Sequence, residues 1–335
     1  MTAPPSEAEV LEVMRRHGID AATEFLYRRL VERHPPSPLV GEGGGEGKKL
    51  TRIEARVLEE GAVERRGGGT PGSLHVSPLT PALSHKGRGS KAIIIPGAFH
   101  EEYTHTGADG ERMMKLAESL GFTAERVPLP SLAPMAKNAE TILDFLSSEP
   151  TRPTILLSLS KGSADLRTAL ERPDAAGVLQ YVRAWINLSG IVTPTPLIEW
   201  FAARPIRRTG VRVLLRLRGQ RFAVLDELGR GNGSPLARPF AIPPHIRVFH
   251  VLGFPRRQDL SDAWAQRGHA RLAPLGPNDG GGNLLIDSFK LPGSVHPAFA
   301  ADHYLRTPAV DSLLLKIFAD AAASTDTADT ADAAS

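Results

Sequence analysis

Apolar residues recur at helical spacing from Ser6 to His34 (Val10, Val13, Met14, Ile19, Phe25, Leu26, Leu30), and Gly18-Ile19-Asp20 interrupts the period. The pattern predicts two short helices. From Lys91 onward the pattern changes. Ile93-Ile94-Ile95 is a continuous apolar run bounded by a lysine and by Pro96-Gly97, which predicts a strand buried on both faces. Helical spacing returns over Asp109 to Leu120 (Met113, Met114, Leu116, Ala117) and stops at Gly121. Phe122 to Val127 reads as a short strand and Ala136 to Leu146 as a helix. Thr154 to Leu159 reads as a strand that feeds straight into a helix starting near Lys161. Ala184 to Leu188 and Ile246 to Leu252 are two further apolar runs of strand length. Strands that alternate with helices, and that are apolar throughout rather than at every second position, predict an α/β fold with a mainly parallel central sheet flanked by helices.

The stretch between His34 and Lys91 breaks this order: it is Gly-rich and holds no Phe, Tyr or Trp. Two pieces of it, Pro36 to Gly47 and Pro78 to Gly89, are related through the genetic code. Gly codons (GGN) read on the opposite strand encode Ser, Pro, Thr or Ala, and Glu codons (GAR) encode Leu or Phe. Gly47 then faces Pro78, Glu46 faces Leu79, Glu42 faces Leu83, and Val40 faces His85. All twelve pairs, whose positions sum to 125, are permitted by complementary codons. The segment therefore reads as the translation of a palindromic DNA element lodged in the gene, and it resembles the interspersed inverted repeats of bacterial genomes. A segment not selected for packing is expected to be disordered, apart from a frayed helix near Ile53 to Glu60. Sequencing the gene tests this reading, which fails if no inverted repeat spans the two pieces.

Composition and charge refine the map. The tail from Ala321 to Ser335 repeats Thr-Ala-Asp without a large apolar residue, and is expected to be disordered. The expected organisation is an N-terminal helical segment (1–35), a disordered inserted element (36–90), a large domain (91–320) and the tail (321–335). The 230 residues of Lys91 to Asp320 are enough for one large core. The chain has no cysteine, which excludes a disulfide scaffold, a thiolate metal site and a cysteine nucleophile. No apolar run of signal-peptide or membrane-spanning length is present, so a soluble cytoplasmic protein is expected. A formal net charge of +3 gives no reason to expect nucleic acid as a partner. No cluster of His, Asp and Glu has metal-ligand spacing, and Gly229-Arg230-Gly231-Asn232-Gly233 lacks the spacing of a dinucleotide loop. No metal and no cofactor is expected.

The stretch that carries chemistry is Ser158-Leu159-Ser160-Lys161-Gly162. A serine between a buried strand and a helix, with a glycine two residues on, fits a nucleophile elbow. Its hydroxyl would stand at a helix N-terminus, where backbone N–H groups favour an anion. Further along come Asn278-Asp279-Gly280 and, after Pro292-Gly293, Ala301-Asp302-His303. Serine, acid and histidine in that chain order, on this strand pattern, resemble the α/β-hydrolase fold superfamily over about Lys91 to Asp320. Ser158 stands where that superfamily usually has glycine.

The resemblance implies an α/β-hydrolase fold with a helical cap insertion at about 193–244, and a cofactor-independent serine hydrolase. Ser160 would attack an acyl carbonyl and His303 would carry the proton. Asp279 would orient the imidazole, and the backbone amides of Lys161 and of Ala98 or Phe99 would hold the oxyanion. Gly97 would let the backbone approach the substrate. Simpler roles compete with each assignment. Ser160 suits a helix cap and Asp279 a turn, with Asp287 then supplying the acid and His296 the nearest rival to His303. His100 and His105 read as cleft-lining or solvated, and Asp165 and Asp302 as local caps or partners.

The excursion before Ile246 carries seven arginines in 18 residues: Arg204, Arg207, Arg208, Arg212, Arg216, Arg218 and Arg221. They suit the solvated face of a cap helix, an anionic substrate, or peripheral contact with an anionic membrane surface. Leu197, Trp200 and Phe201 suit an apolar acyl pocket. The substrate implied is a small-molecule carboxylic ester. Three alternatives stay open: an acyltransferase or thioesterase with the same triad, a non-catalytic binding protein on the same fold, and a decaying gene product. Oligomeric state is not legible.

Overall fold

A computed structural model describes residues 3–34, 89–148, 152–217, 223–231 and 233–332. The expected inserted element, with its short helix near 53–60, lies outside the described residues except for Gly89 and Ser90. Residues 333–335 of the expected tail lie outside them too.

Two helices open the chain, α1 (Glu7–His17) and α2 (Ile19–Arg33), broken at Gly18 as the pattern predicted. Ser6 and Glu9 form a reciprocal capping box at the start of α1. Leu26 and Leu30 of α2 bury against Leu252, Phe254, Phe289 and Val295, so the N-terminal helices belong to the same packed unit as the rest of the described chain.

The remaining elements alternate. They run β1 (Lys91–Ile95), α3 (Glu111–Ser119), β2 (Thr123–Arg126), α4 (Met135–Ser147), β3 (Thr154–Leu159), α5 (Lys161–Leu170), α6 (Ala176–Leu179) and β4 (Val182–Leu188). The excursion follows as α7 (Leu197–Ala202), α8 (Pro205–Leu217) and α9 (Ala223–Asp226). The last elements are β5 (Arg247–Phe254), α10 (Ala263–Leu272), β6 (Ser294–Phe299) and α11 (Pro308–Asp332). The six strands form one parallel sheet in the order β2-β1-β3-β4-β5-β6. The order reverses between β1 and β3, and in such sheets ligands bind at the carboxyl ends of the strands flanking the reversal. Ser160 follows β3 and Ala98-Phe99 follow β1, so this topology sets the two loops side by side.

Three features depart from the sequence expectation. The strand β6 carries Pro297, which weakens its signal; it lies at the sheet edge, where proline is tolerated. The helix α10 is capped by Asp262, whose carboxylate accepts from the amides of Trp264 and Ala265. The tail expected to be disordered from Ala321 is instead helical to Asp332, with Ala321 and Ala322 buried. It extends a helix already anchored by Leu314, Ile317 and Phe318. Elongation by alanine, the strongest helix former, avoids the cost of nucleation.

Among its described residues the excursion carries α7, α8 and α9, and one buried side chain closes its two ends. The Arg167 guanidinium on α5 donates to the carbonyls of Val192 (2.5 Å) and Leu236 (3.1 Å), and to those of Arg238 (2.8 Å) and Pro239 (3.3 Å). It also pairs with Glu171 at 2.7 Å and lies over the Phe240 ring. Among the described residues no helix is long and apolar enough to cross a membrane.

Candidate active site

The strand β3 ends at Leu159 and α5 begins at Lys161, leaving one residue for the turn. Ser160 absorbs it at φ 48° and ψ −120°, in the left-handed half of backbone space that non-glycine residues rarely enter. The close approach explains Gly162: a Cβ there would lie 2.3 Å from the Pro96 carbonyl oxygen and 2.7 Å from that of Ile95. The Ser160 side chain does not cap α5. Its Oγ instead lies 3.0 Å from His303 Nε2.

His303 Nδ1–H donates to Asp279 Oδ2 at 2.7 Å, and the His303 amide donates to the Asp279 carbonyl at 2.7 Å. Asp279 is fully buried. Its Oδ1 accepts from the amides of Gly281 (2.9 Å), Gly282 (3.0 Å) and Asn283 (3.0 Å), and its Oδ2 also accepts from Asn283 Nδ2 at 2.7 Å. Burial alone would raise this carboxyl. The His303 ring and these donors outweigh it and hold Asp279 below the usual carboxylate range. Burial pushes His303 down in turn, but the Asp279 charge and hydrogen bond, with Asp302 nearby, carry it above the usual imidazole value. The His303 loop is braced by Asp302, which accepts from the Ser261 amide and hydroxyl and from the Tyr304 amide.

The loop after β1 is equally fixed. The Gly97 amide donates to the Ala108 carbonyl, and the Gly97 carbonyl accepts from His100 Nδ1–H at 2.9 Å. Phe99 stands at φ 58°. Neither the Ala98 amide nor the Lys161 amide donates to an acceptor among the described residues. The chain therefore holds, next to Ser160, a buried acid–histidine pair and two neighbouring loops with uncommitted N–H groups.

No protein-family model and no curated protein sequence matches the chain. Among solved structures it is similar to a metagenomic carboxyl esterase at 21% identity, over 88% of this chain and 98% of that one, with a TM-score of 0.55. It is also similar to the mature form of a Bacillus licheniformis lipase at 18% identity, over 69% of this chain and 91% of that one, with a TM-score of 0.49. The six-stranded parallel sheet and the first of these likenesses decide the architecture. The chain has the α/β-hydrolase fold.

Within this α/β-hydrolase fold, Ser158 is not an idle replacement for glycine. Its buried hydroxyl accepts from Trp185 Nε1–H at 2.7 Å and donates to Ser163 Oγ at 2.7 Å. Ser163 donates to Asn187 Oδ1, Asn187 Nδ2 donates to His250 Nδ1, and His250 Nε2–H donates to the Pro292 carbonyl at 2.9 Å. The series has one consistent direction from Trp185 to Pro292, which fixes the Asn187 amide and the His250 tautomer. Below the elbow, Lys161 Nζ pairs with Asp165 at 2.7 and 2.8 Å, and Asn138 donates to the same carboxylate. Burial raises the Asp165 carboxyl above its usual range, against the pull of Lys161.

The structure brings Ser160, Asp279 and His303 together and leaves their rivals elsewhere. Asp287 pairs with Lys290, and His296 lies on β6 against Phe249. His105 is exposed, whereas His100 is buried on the Gly97 carbonyl. Trp200 and Phe201 pack edge to face under the Arg271 guanidinium. Sequence reasoning missed Asn283, whose one signal is its place four residues after Asp279, and read His100 as cleft-lining or solvated, whereas its ring is buried against the Gly97 carbonyl.

Proposed function

We propose that the chain is a serine hydrolase that cleaves a carboxylic ester through an acyl-enzyme. The observation that carries this reading is the hydrogen-bonded series Ser160 Oγ–His303 Nε2 and His303 Nδ1–Asp279, anchored on a serine at positive φ. In the first half-reaction Ser160 Oγ forms a bond to the acyl carbon as its proton passes to His303 Nε2. The amides of Lys161 and of Ala98 or Phe99 would receive the oxyanion. The imidazolium, stabilised by Asp279, then gives its proton to the departing alcohol as the ester C–O bond breaks. In the second half-reaction water attacks the acyl-enzyme by the same route, and Ser160 leaves with its proton restored. Removing one oxyanion donor typically costs about 3 kcal/mol of barrier.

An aromatic row supports an apolar group at the site: Phe99 meets Tyr103 edge to face, and Tyr103 meets Trp264 at 5.6 Å. The test is labelling by a fluorophosphonate probe, with hydrolysis of a short p-nitrophenyl ester in parallel. Wild type is expected to label and turn over, and Ser160→Ala to do neither. A folded wild type that reacts with neither reagent overturns the reading.

A further inference from the structure

The helix α8 has two apolar sides. On one, Val211 and Leu215 join an apolar cluster with Leu132, Ala98 and Phe99, so this helix covers the loop after β1. On the other, Ile206, Val213 and Leu217 are 87%, 53% and 80% exposed. Their spacing, seven residues and then four, aligns them along a single stripe of the helix. Large aliphatic side chains so exposed, in line on one helix, mark an interaction surface. The charge around them is one-sided. From Trp200 to Leu225 the chain holds seven arginines and no acid, and Arg204, Arg208, Arg212 and Arg216 are exposed beside the stripe.

We infer that α8 docks on the surface of an anionic lipid bilayer. An aliphatic stripe can seat at the boundary of headgroups and acyl chains while flanking arginines meet the lipid phosphates. Nucleic acid would use the arginines but has no place for Ile206 and Leu217, because its recognition draws on charge and aromatic stacking. A second copy of this chain would bring seven arginines against seven. The inner face of the same helix lies on Ala98 and Phe99, so docking would set the proposed ester site beside the lipid surface. The docking itself does not depend on ester chemistry, since it is read without turnover.

The experiment is co-sedimentation of the full chain with vesicles of phosphatidylcholine alone and of phosphatidylcholine with phosphatidylglycerol. Binding is expected only to the anionic vesicles, and it should weaken from ~0.1 M to ~1 M salt as the Debye length falls from about 10 to about 3 Å. Replacing Arg212 and Arg216 by glutamine should weaken partitioning about fivefold for each charge. The double variant Ile206→Ser, Leu217→Ser should weaken it at least about tenfold, with an unchanged thermal midpoint because both side chains face solvent. Absence of binding to anionic vesicles overturns the inference. So does binding that ignores the serine double variant, or tighter binding to a single-stranded RNA or an acidic polypeptide than to the vesicles. A chain that binds vesicles but fails the fluorophosphonate test would keep this inference and lose the ester reading.

Discussion

Asn187 on β4 and His250 on β5 are register partners, and the Asn187 amide donates to His250 Nδ1 over 2.7 Å at the centre of the sheet. One strand further, Ser158 on β3 is the register partner of Asn187. A row of polar side chains thus crosses three strands beneath the nucleophile elbow, and Ser163 of α5 links its first two members. Buried polar groups are costly when unpaired and rigidifying when every partner is present. Here the row ties β3, the strand that leads into Ser160, to the helix that starts after it.

The row makes an acid-stability prediction. Complete burial pushes His250 down to about 4. The unfolded chain takes up this proton near 6.5 and the folded chain only near 4, so this contribution to stability is complete above pH ~6.5 and shrinks as pH falls toward 4. The loss amounts to roughly 3 kcal/mol. Denaturant unfolding of wild type across that interval should show the decline, with a shallower slope in His250→Gln. Equal slopes would mean that His250 is not held neutral.

His303 must be neutral to accept the Ser160 proton, and its partners carry it above the usual imidazole value. The activity of wild type should therefore rise with pH through an inflection above 6.5. In Asp279→Asn the charge that raises His303 is gone, so the inflection should move down. Turnover should drop about ten-thousandfold as the imidazole loses its orienting acceptor. Profiles of kcat/KM against pH for the two proteins check both statements, and an unmoved inflection would contradict them.

Gly281 lies against the catalytic histidine proposed here: a Cβ on it would stand 1.9 Å from His303 Cγ. Gly281→Ala should displace the ring by enough to break the contact with Ser160. Misplacements of about 1 Å cost on the order of a hundredfold in rate. Steady-state kinetics with a short ester should show the fall in kcat while circular dichroism stays unchanged.

Arg167 holds the two ends of the excursion through four carbonyls. Arg167→Ala leaves these acceptors without partners, at about 1–3 kcal/mol for each one that stays buried. Thermal unfolding should show a large drop in midpoint. Arg167→Lys should rescue little of it, because a single ammonium cannot span the fork. A drop no larger than that of an exposed arginine variant would show that the clamp is dispensable.

Much of this protein was legible along the chain. The apolar runs at Ile93, Thr154, Ala184 and Ile246, and the helical spacings between them, follow from local periodicity, and the structure has the elements where that periodicity put them. The tight turn at Ser160 was legible too, because a strand and a helix separated by one residue leave only an elbow. What escaped was weakly coded or coded against expectation. Pro297 disguised β6, and the alanine tail looked too polar to order until it was seen to continue α11. Ser158 read only as a departure from the usual glycine until its neighbours were known.

The sequence by itself determined the alternating elements, the elbow and the chain order of serine, acid and histidine, because each depends on neighbours within a few residues. Only the tertiary structure decided that Ser160 meets His303 across 143 positions, and that Ser158, Asn187 and His250 share one row. It alone decided that Asp279 rather than Asp287 faces the ring. Those relations depend on lateral strand register and loop packing, which arise from burial across the whole sheet and leave no local period to read.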